Sequence, residues 1–541
     1  MKKNRLSKKR VLCAALSAAL VTNSLHFAAA YADNVYKDGI YTGTAKGFNG
    51  DITVSVTVSE GSVSAVDVTA QNETPAYWKE AEKLIPEIIS ANGTEGVDSV
   101  SGATYSSEGI KKAVENALAK STAPDCFEGG SGSADDPFII NTASQLIGFA
   151  QSVDEGENYL GKYIALDADI DLSDTENWNP IGAEGAAAKN LDKIFAGDFN
   201  GRGHIVKGLT IVTDESSAYA DESNVGLFST LLSTAKVSGL KLENVNIRVA
   251  GEKVVRAGGI TGDITSNAVS KAEGRAIVDN CSVSGSVSAE TDAAMVMTGG
   301  VVGRASGNAI ISNCISDTAV YSSAGSKIAY GGGIVSMAGN DTYVLNCADK
   351  GDITVLTKSG FSLYAGGVVG MMTSEQYNCI SSGNVTVGTI AQADAANCAG
   401  IINGALMPAA SGKYDYYASG AELRYMDESG SASAIEAVSH GAGSMNAEDT
   451  FAAEKADNMN SSEFAEVLNE NLYDISRKLG DTGTEFMLWK LSDEGEITLS
   501  DEVFINDVID ASVFDSGEGT KESPYILRTA DQLRGFAGSL T

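Results

Sequence analysis

The chain opens on an apolar run, 11–32, preceded by ten residues rich in Lys and Arg. Regular patterning begins at Ile52-Thr53-Val54-Ser55-Val56-Thr57-Val58, where apolar and polar residues alternate strictly. That period of two predicts a strand with one buried face. Glu60-Gly61 predicts a turn into a second strand, Val63–Val68. Trp78, Ala81, Ile85 and Ile88 then fall on one helical face. Thr74 suits its N-cap and Pro75 its first turn. Pro86 lies inside the pattern and predicts a kink or restart. A loop from Asp98 to Ser107 leads to a second helix over 107–119, with Ile110, Ala113, Val114, Ala117 and Leu118 inward. Residues 33–121 therefore read as a small α+β domain, followed by a linker at 122–126.

From Phe127 the pattern changes to short β-prone runs broken by glycine. Gly-Gly pairs recur at Gly258-Gly259, Gly299-Gly300, Gly332-Gly333 and Gly366-Gly367. Asn280-Cys281, Asn313-Cys314, Asn346-Cys347 and Asn378-Cys379 recur beside them, at steps of 33, 33 and 32. A unit of that length with several short strands predicts one coil of a right-handed parallel β-helix, closed only by its neighbours. The predicted fold class is thus mainly β: the α+β domain, then a β-helix over 127–410. Stacked Asn and Cys predict an internal ladder, with the amides bonding from coil to coil and small thiols buried. A disulfide column is disfavoured, because stacked Cβ atoms point the same way. Asn397-Cys398 is out of step and marks an irregular end. Residues 411–513 follow, including a helix at 462–478.

Residues 127–154 and 514–541 align without gaps, with 13 identities in 28 positions. The expectation is that 514–541 begins a second β-helix unit and that the chain is part of a longer protein.

Composition sharpens this picture. The sequence has 541 residues, 59 of them Gly and 7 Pro, with 38 Lys+Arg against 71 Asp+Glu. Six of the basic residues lie in 1–32, which contains no acid, so the remainder stands at 32 − 71 = −39. That balance excludes nucleic acid as a partner. The basic start, apolar run and Ala30-Tyr31-Ala32 form a secretory signal peptide cleaved after Ala32, which predicts a bacterial extracellular or cell-surface protein. Six cysteines remain without C-x-x-C, and two histidines, His204 and His440. They offer no ordinary zinc or haem site and little for a Ser-His triad. Asp167, Asp169, Asp171 and Asp174 have partial EF-hand spacing, but Leu172 and Trp178 occupy the required Gly and Glu positions. They read as outward acids on a strand, and His204 as structural.

The most specific motif is Asp98-Ser99-Val100-Ser101-Gly102-Ala103-Thr104. With Gly39-Ile40-Tyr41-Thr42-Gly43 and Glu73-Thr74-Pro75 before it, this segment resembles the FMN-binding domain family. That family includes the periplasmic C and G subunits of sodium-pumping NADH:quinone reductase and the Rnf complex, and extracytoplasmic flavoprotein modules. The resemblance implies FMN as cofactor, esterified through its phosphate to Thr104. It places Ser101, Gly102 and Ala103 around that position. Asp98 then serves recognition by an FAD-dependent FMN transferase, and Glu73, Thr74 and Pro75 lie near the flavin. Gly102 and Ala103 leave room at the loop, and the following helix start suits a phosphodiester. The family often has Gly where Ala76 stands. Tyr77 and Trp78 are candidates to stack on the ring, although Trp78 falls on the apolar stripe and reads as core.

The larger part resembles bacterial surface proteins with GLUG repeats, through Trp178–Gly182, Phe199–Ile205, Gly226-Leu227-Phe228 and the Gly-Gly series. That resemblance implies a scaffold that could meet cell-wall or surface ligands. Together these readings predict an exported electron carrier with membrane or extracellular redox partners, rather than a stand-alone enzyme. A structural or adhesive protein with an accessory flavin domain is the alternative. A polysaccharide lyase is disfavoured, since 299–404 contains only Arg304, Lys327, Lys350 and Lys358 as cations.

Overall fold

A computed structural model of the chain describes Tyr36, most of 39–504, and positions 516, 526, 528 and 529. Within 39–504 it omits 60–61, 95, 122–125, 176, 184–189, 214–221, 252–253, 266–273, 293, 326, 359–361, 389–397, 408–409, 436–441, 444–450 and 481. The expected signal peptide, the Glu60-Gly61 turn, most of the linker, Asn397, His440 and nearly all of 514–541 lie outside the described residues. The chain divides into two compact units, 1–140 and 141–541. Among the described residues no helix is long and apolar enough to cross a membrane.

In the first unit, β1 (Gly39–Lys46), β2 (Asp51–Ser59) and β3 (Ser62–Ala70) form an antiparallel sheet in the order 1-2-3. The alternation in β2 has its expected result: Ile52, Val54, Val56 and Val58 are buried. An 18-residue helix, Thr104–Ser121, covers this face with Ile110, Ala113, Val114, Ala117 and Leu118. It is longer than the expected 107–119 and begins at Thr104 itself. Its backbone lies directly on Gly43, where an added Cβ would come 2.0 Å from the Ala113 carbonyl oxygen and 2.5 Å from the Ala117 nitrogen. Gly43→Ala should therefore push the helix off the sheet and cost about 2–3 kcal/mol. A lowered thermal midpoint for this unit would show it; an unchanged midpoint would refute it.

The expected first helix is two: Pro75–Ala81 and Leu84–Ser90. The restart precedes Pro86, which sits in the first turn of the second helix, where its missing N–H costs no intrahelical bond. Trp78 packs against the core, as its place on the stripe predicts.

The second unit is a parallel β-solenoid. Strands stack in register from coil to coil, for example Val296 on Ala329 on Leu363, and Val302 on Val335 on Val369. The two glycines of each corner have different reasons. A Cβ on Gly299, Gly332 or Gly366 would lie 2.0–2.3 Å from the carbonyl oxygen three residues ahead, because the chain reverses so tightly. A Cβ on Gly300 or Gly333 would lie 2.1 Å from a glycine carbonyl oxygen in the next coil. One glycine permits the corner and the other permits the stack.

The helix Ala143–Glu155, held by a Thr142–Gln145 capping box, buries Phe149 against Tyr159, Phe195 and Phe199 at the first coils. Pairing continues well beyond Cys398: Ala365 stacks on Ala399, Val369 on Asn403 and Tyr416 on Glu454. The stack therefore does not end where the Asn-Cys spacing breaks. Beyond it, the helix Ser462–Leu479 and the hairpin of Met487–Leu491 with Ile497–Val503 turn back over the outside of the coils. They bury Leu468, Leu472, Ile475, Phe486 and Trp489 against Ile310, Leu345, Tyr377 and Ile380.

This return explains the Asn-Cys pairs. All four asparagines have positive φ, from 49° to 57°, a region that asparagine tolerates better than most residues. Their amides do run from coil to coil: Asn378 Nδ2 to Asn346 Oδ1 and Asn346 Nδ2 to Asn313 Oδ1, each 2.8 Å. They also bond the returning tail, at the carbonyls of Leu468, Met487 and Glu485. The ladder is thus a seam between solenoid and tail rather than an interior column. The adjoining cysteines are free, buried thiols, each 3.1–3.4 Å from the carbonyl oxygen two residues earlier. Burial raises their pKa.

The outward acids meet basic side chains one coil on. Asp167 pairs with Arg202 at 3.1 Å, Asp169 with His204 at 3.1 Å and Asp171 with Lys207 at 3.6 Å. His204 thus has an acidic partner that lies 35 residues back in sequence. Three of the four cations of 299–404 are also engaged, Arg304 with Asp263, Lys350 with Glu496 and Lys358 with Asp292.

The repeat between 127–154 and 514–541 has a local structural counterpart. Ile139 N donates to Gly129 O at 3.0 Å, and Ile526 N donates to Ser516 O at 2.8 Å. Both pairs are related by the same offset of 387.

Candidate functional site

The first unit has a cleft of about 170 Å³, lined by Phe48, Tyr77, Gly102, Ala103, Thr104, Tyr105 and Ser106. Phe48, Tyr77 and Tyr105 are 61%, 51% and 68% exposed. Three large rings facing water cost free energy unless something covers them. Phe48 and Tyr105 lie 5.8 Å apart between centroids, tilted by 39°.

The loop before Thr104 is tightly held. Gly102 has φ +87° and open space where a Cβ would point. Ala103 is buried, and its carbonyl accepts the first intrahelical bond, from Ser107 N at 2.9 Å. The Ser107 hydroxyl donates to the same carbonyl at 2.9 Å and accepts from Val100 N at 3.2 Å. Lys111 Nζ donates to Val97 O at 2.5 Å. The amides of Thr104, Tyr105 and Ser106 precede the first intrahelical bond and have no acceptor within the helix. Thr104 is exposed at that positive end.

Glu73 anchors the opposite wall. Its carboxylate is buried, accepts from Asn49 N at 2.8 Å and also receives the Ser106 hydroxyl. Gln71 Oε1 accepts from Glu73 N at 2.6 Å. Thr74 begins the helix without a side-chain cap; its Oγ1 accepts from Asn49 Nδ2 at 2.9 Å instead. The loop carrying Phe48 is therefore tied through Glu73 and Thr74 to the helix carrying Thr104. A Cβ on Gly47 would lie 2.6 Å from Glu73 Oε1, so glycine lets the loop close on the acid.

Burial pushes the Glu73 carboxyl up, but the Ser106 hydroxyl and the amides of Asn49, Phe48 and Gly50 outweigh it and hold the pKa below the ordinary value. A depressed folded pKa contributes stability above the unfolded value of about 4.3, lost as pH falls further. Glu73→Gln should lose that acid-range dependence. It also turns an NH₂ toward donors, costing about 1–3 kcal/mol. Unfolding of the first unit followed between pH 3 and 7 would test this; an unchanged pH profile would refute it.

Of the sequence-predicted residues, Tyr77, Gly102, Ala103 and Thr104 line the cleft together. Glu73 and Thr74 brace it from behind. Asp98, Ser101 and Pro75 are exposed outside the lining. Sequence reasoning missed Phe48, Tyr105, Ser106 and Ser107. Phe48 and Tyr105 carried a signal, being large rings outside any apolar period.

The cleft suits a flavin mononucleotide. Its rings offer flat apolar faces to a fused aromatic system, and the helix start offers amides to a phosphate. Residues 47–119 match the family model described as the FMN-binding domain. An NADH:acrylate oxidoreductase of Vibrio harveyi is 35% identical over 83 residues, which is 15% of this chain and 8% of that protein. An NADH:fumarate oxidoreductase of Klebsiella pneumoniae is 29% identical over 134 residues, 24% of this chain and 14% of that protein. A Treponema pallidum protein without an assigned function is 41% identical over 83 residues, 15% of this chain and 23% of its own. The chain thus spans less than a quarter of each of these relatives. With FMN as its cofactor, the segment 47–119 belongs to the FMN-binding domain family.

Proposed function

We propose that this chain is an exported flavoprotein that carries electrons outside the membrane, with its flavin held covalently at Thr104 and displayed on a cell-surface solenoid. The observation that carries this reading is the position of Thr104. It is the first residue of an 18-residue helix, exposed in the aromatic cleft, and it ends the sequence Asp-x-x-Ser-Gly-Ala-Thr. The export half rests on the basic, apolar and Ala-x-Ala order of 1–32. The oxidoreductase names of two relatives support a redox role. GLUG-type repeats form the scaffold.

Bound FMN supplies one- and two-electron redox chemistry. The protein's part is to hold and orient it. Thr104 Oγ1 forms the ester bond to the FMN phosphorus as the pyrophosphate of FAD breaks and AMP leaves; its hydroxyl proton passes to solvent. A separate Mg²⁺-requiring transferase directs that exchange, with exposed Asp98 available for its recognition. The amides of Thr104, Tyr105 and Ser106 would hold the phosphate, and Phe48, Tyr77 and Tyr105 would shield the ring. Glu73 keeps the two walls in place.

Co-expression of the full chain with an FMN transferase tests this. The expected result is flavin fluorescence that stays with the band on a denaturing gel, in protein recovered outside the cytoplasmic membrane. A colourless band overturns the covalent reading, and retention inside the cell overturns the export reading.

A further inference from the structure

A groove of about 440 Å³ opens in the second unit where the returning tail meets the solenoid. One wall carries Asp317, Lys350 and Ser382 and ends at Ala418-Ser419-Gly420. These residues follow directly on stacked ones, Ser316 on Asp349 on Ser381 on Tyr417. The ladder continues through them, since Lys350 N donates to Ser316 O at 2.8 Å and Ser382 N to Asp349 O at 2.9 Å. The wall therefore presents one residue per coil over three coil steps, roughly 14 Å at the ~4.8 Å strand spacing.

The opposite wall is Ala456–Asn460 with Glu496 and Ile497. Two contacts fix its shape. Lys350 Nζ reaches Glu496 Oε2 at 2.8 Å across the groove, and Asn460 Oδ1 accepts from Ile497 N at 3.1 Å. Met459, Ile497 and Ile380 are buried parts of one apolar cluster beneath it. Asp317, Asp457 and Asn458 are exposed along the rim.

We propose that this groove binds a neutral, hydroxyl-rich glycan strand. Carboxylates on both walls, with Ser382 on one and the amides of Asn458 and Asn460 on the other, accept from and donate to neighbouring hydroxyls, while an apolar floor receives the C–H face of a sugar ring. The rung spacing of the polar wall is close to the length of one sugar unit in an extended chain, so successive coils can read successive units. Charge selects among glycans. Asp317, Asp457 and Glu496 against Lys350 leave the groove at 1 − 3 = −2, on a chain at −33. That field opposes uronic-acid and sulfated polymers. The role is binding, and it is independent of the flavin.

Calorimetry on the full chain with cellohexaose, chitohexaose and hexagalacturonate provides the test. The expected result is binding of at least one neutral hexamer and none of the anionic one. The double variant Asp317→Ala/Asp457→Ala changes two exposed side chains, so it should keep the wild-type thermal midpoint and weaken binding at least tenfold. The proposal is overturned if neither neutral hexamer binds, if hexagalacturonate binds as well as they do, or if the double variant binds undiminished.

Discussion

Thr104→Ala should abolish flavin fluorescence from the denatured protein, while Thr104→Ser should retain most of it. The reasoning is local. Four other hydroxyls lie in the loop and helix start, 101–107, and each is worse placed. Ser106 is buried and donates to Glu73. Ser107 is buried and bridges Ala103 O and Val100 N. Ser101 precedes Gly102 and lies outside the lining, and Tyr105 holds its hydroxyl at the end of a ring. Thr104 alone among these joins an exposed hydroxyl to the first helical position, where free amides and the helix dipole favour an anion. Alanine is a good helix former, so the helix and cleft should survive the change. The variant should then still take up FMN reversibly and lose it on dialysis or denaturation. Full labelling of the alanine variant would place the ester elsewhere and sink the assignment. Loss of labelling in both variants would do the same unless the serine variant had failed to fold, which its thermal midpoint reports.

Much of this arrangement was legible in the sequence, because period and motif are local signals. The alternation in 52–58 gave a buried strand face, and the 33-residue step gave stacked coils. The Asp98–Thr104 motif ends in three residues, Gly102, Ala103 and Thr104, that line the aromatic cleft. What was not legible depends on contacts between distant residues. Phe48 and Tyr105 lie 57 positions apart and meet only because Gly47 and Gly109 let the loop press on the helix. Glu73 could be read as part of a motif but not as a brace, since its partners Asn49 and Ser106 flank it by 24 and 33 residues. The asparagine column showed the same limit. Its spacing predicted a ladder, but the tail that shares its hydrogen bonds returns from as far as 174 residues away. The paired acids at 167–171 were readable as outward-facing, yet their partners Arg202, His204 and Lys207 come from the next coil.

The second large effect concerns an acid that the fold holds where acids are costly. Asp349 is fully buried, and its side chain lies over Gly333, whose added Cβ would come 2.1 Å from the carboxyl carbon. One oxygen meets Gly351 N at a long 3.4 Å, and the other has no partner among the described residues. The positions stacked directly above and below are Ser316 and Ser381. Burial raises the Asp349 carboxyl well above the ordinary value; the Gly351 amide and Ser316 lower it, while the nearby Asp317 and Asp352 carboxylates add to the rise. Asp415, also fully buried, is raised for the same main reason. A raised folded pKa means that the native chain keeps a proton the unfolded chain has released. Stability is then highest below the unfolded value of about 3.9 and falls as pH rises toward the folded pKa, by about 1.4 kcal/mol per unit for one such group. Asp349→Ser, which extends the serine column by one rung, should therefore stabilise the second unit at pH 8. The gain should be about 1–3 kcal/mol, the cost of a buried polar group left unsatisfied. At pH 5 the advantage should shrink, because keeping a proton that the unfolded chain releases costs less free energy nearer the unfolded pKa. Thermal or denaturant unfolding of wild type and variant at both pH values measures the difference. A variant less stable than wild type at pH 8, or a gain that does not shrink toward pH 5, would show that Asp349 is matched to its site rather than strained in it.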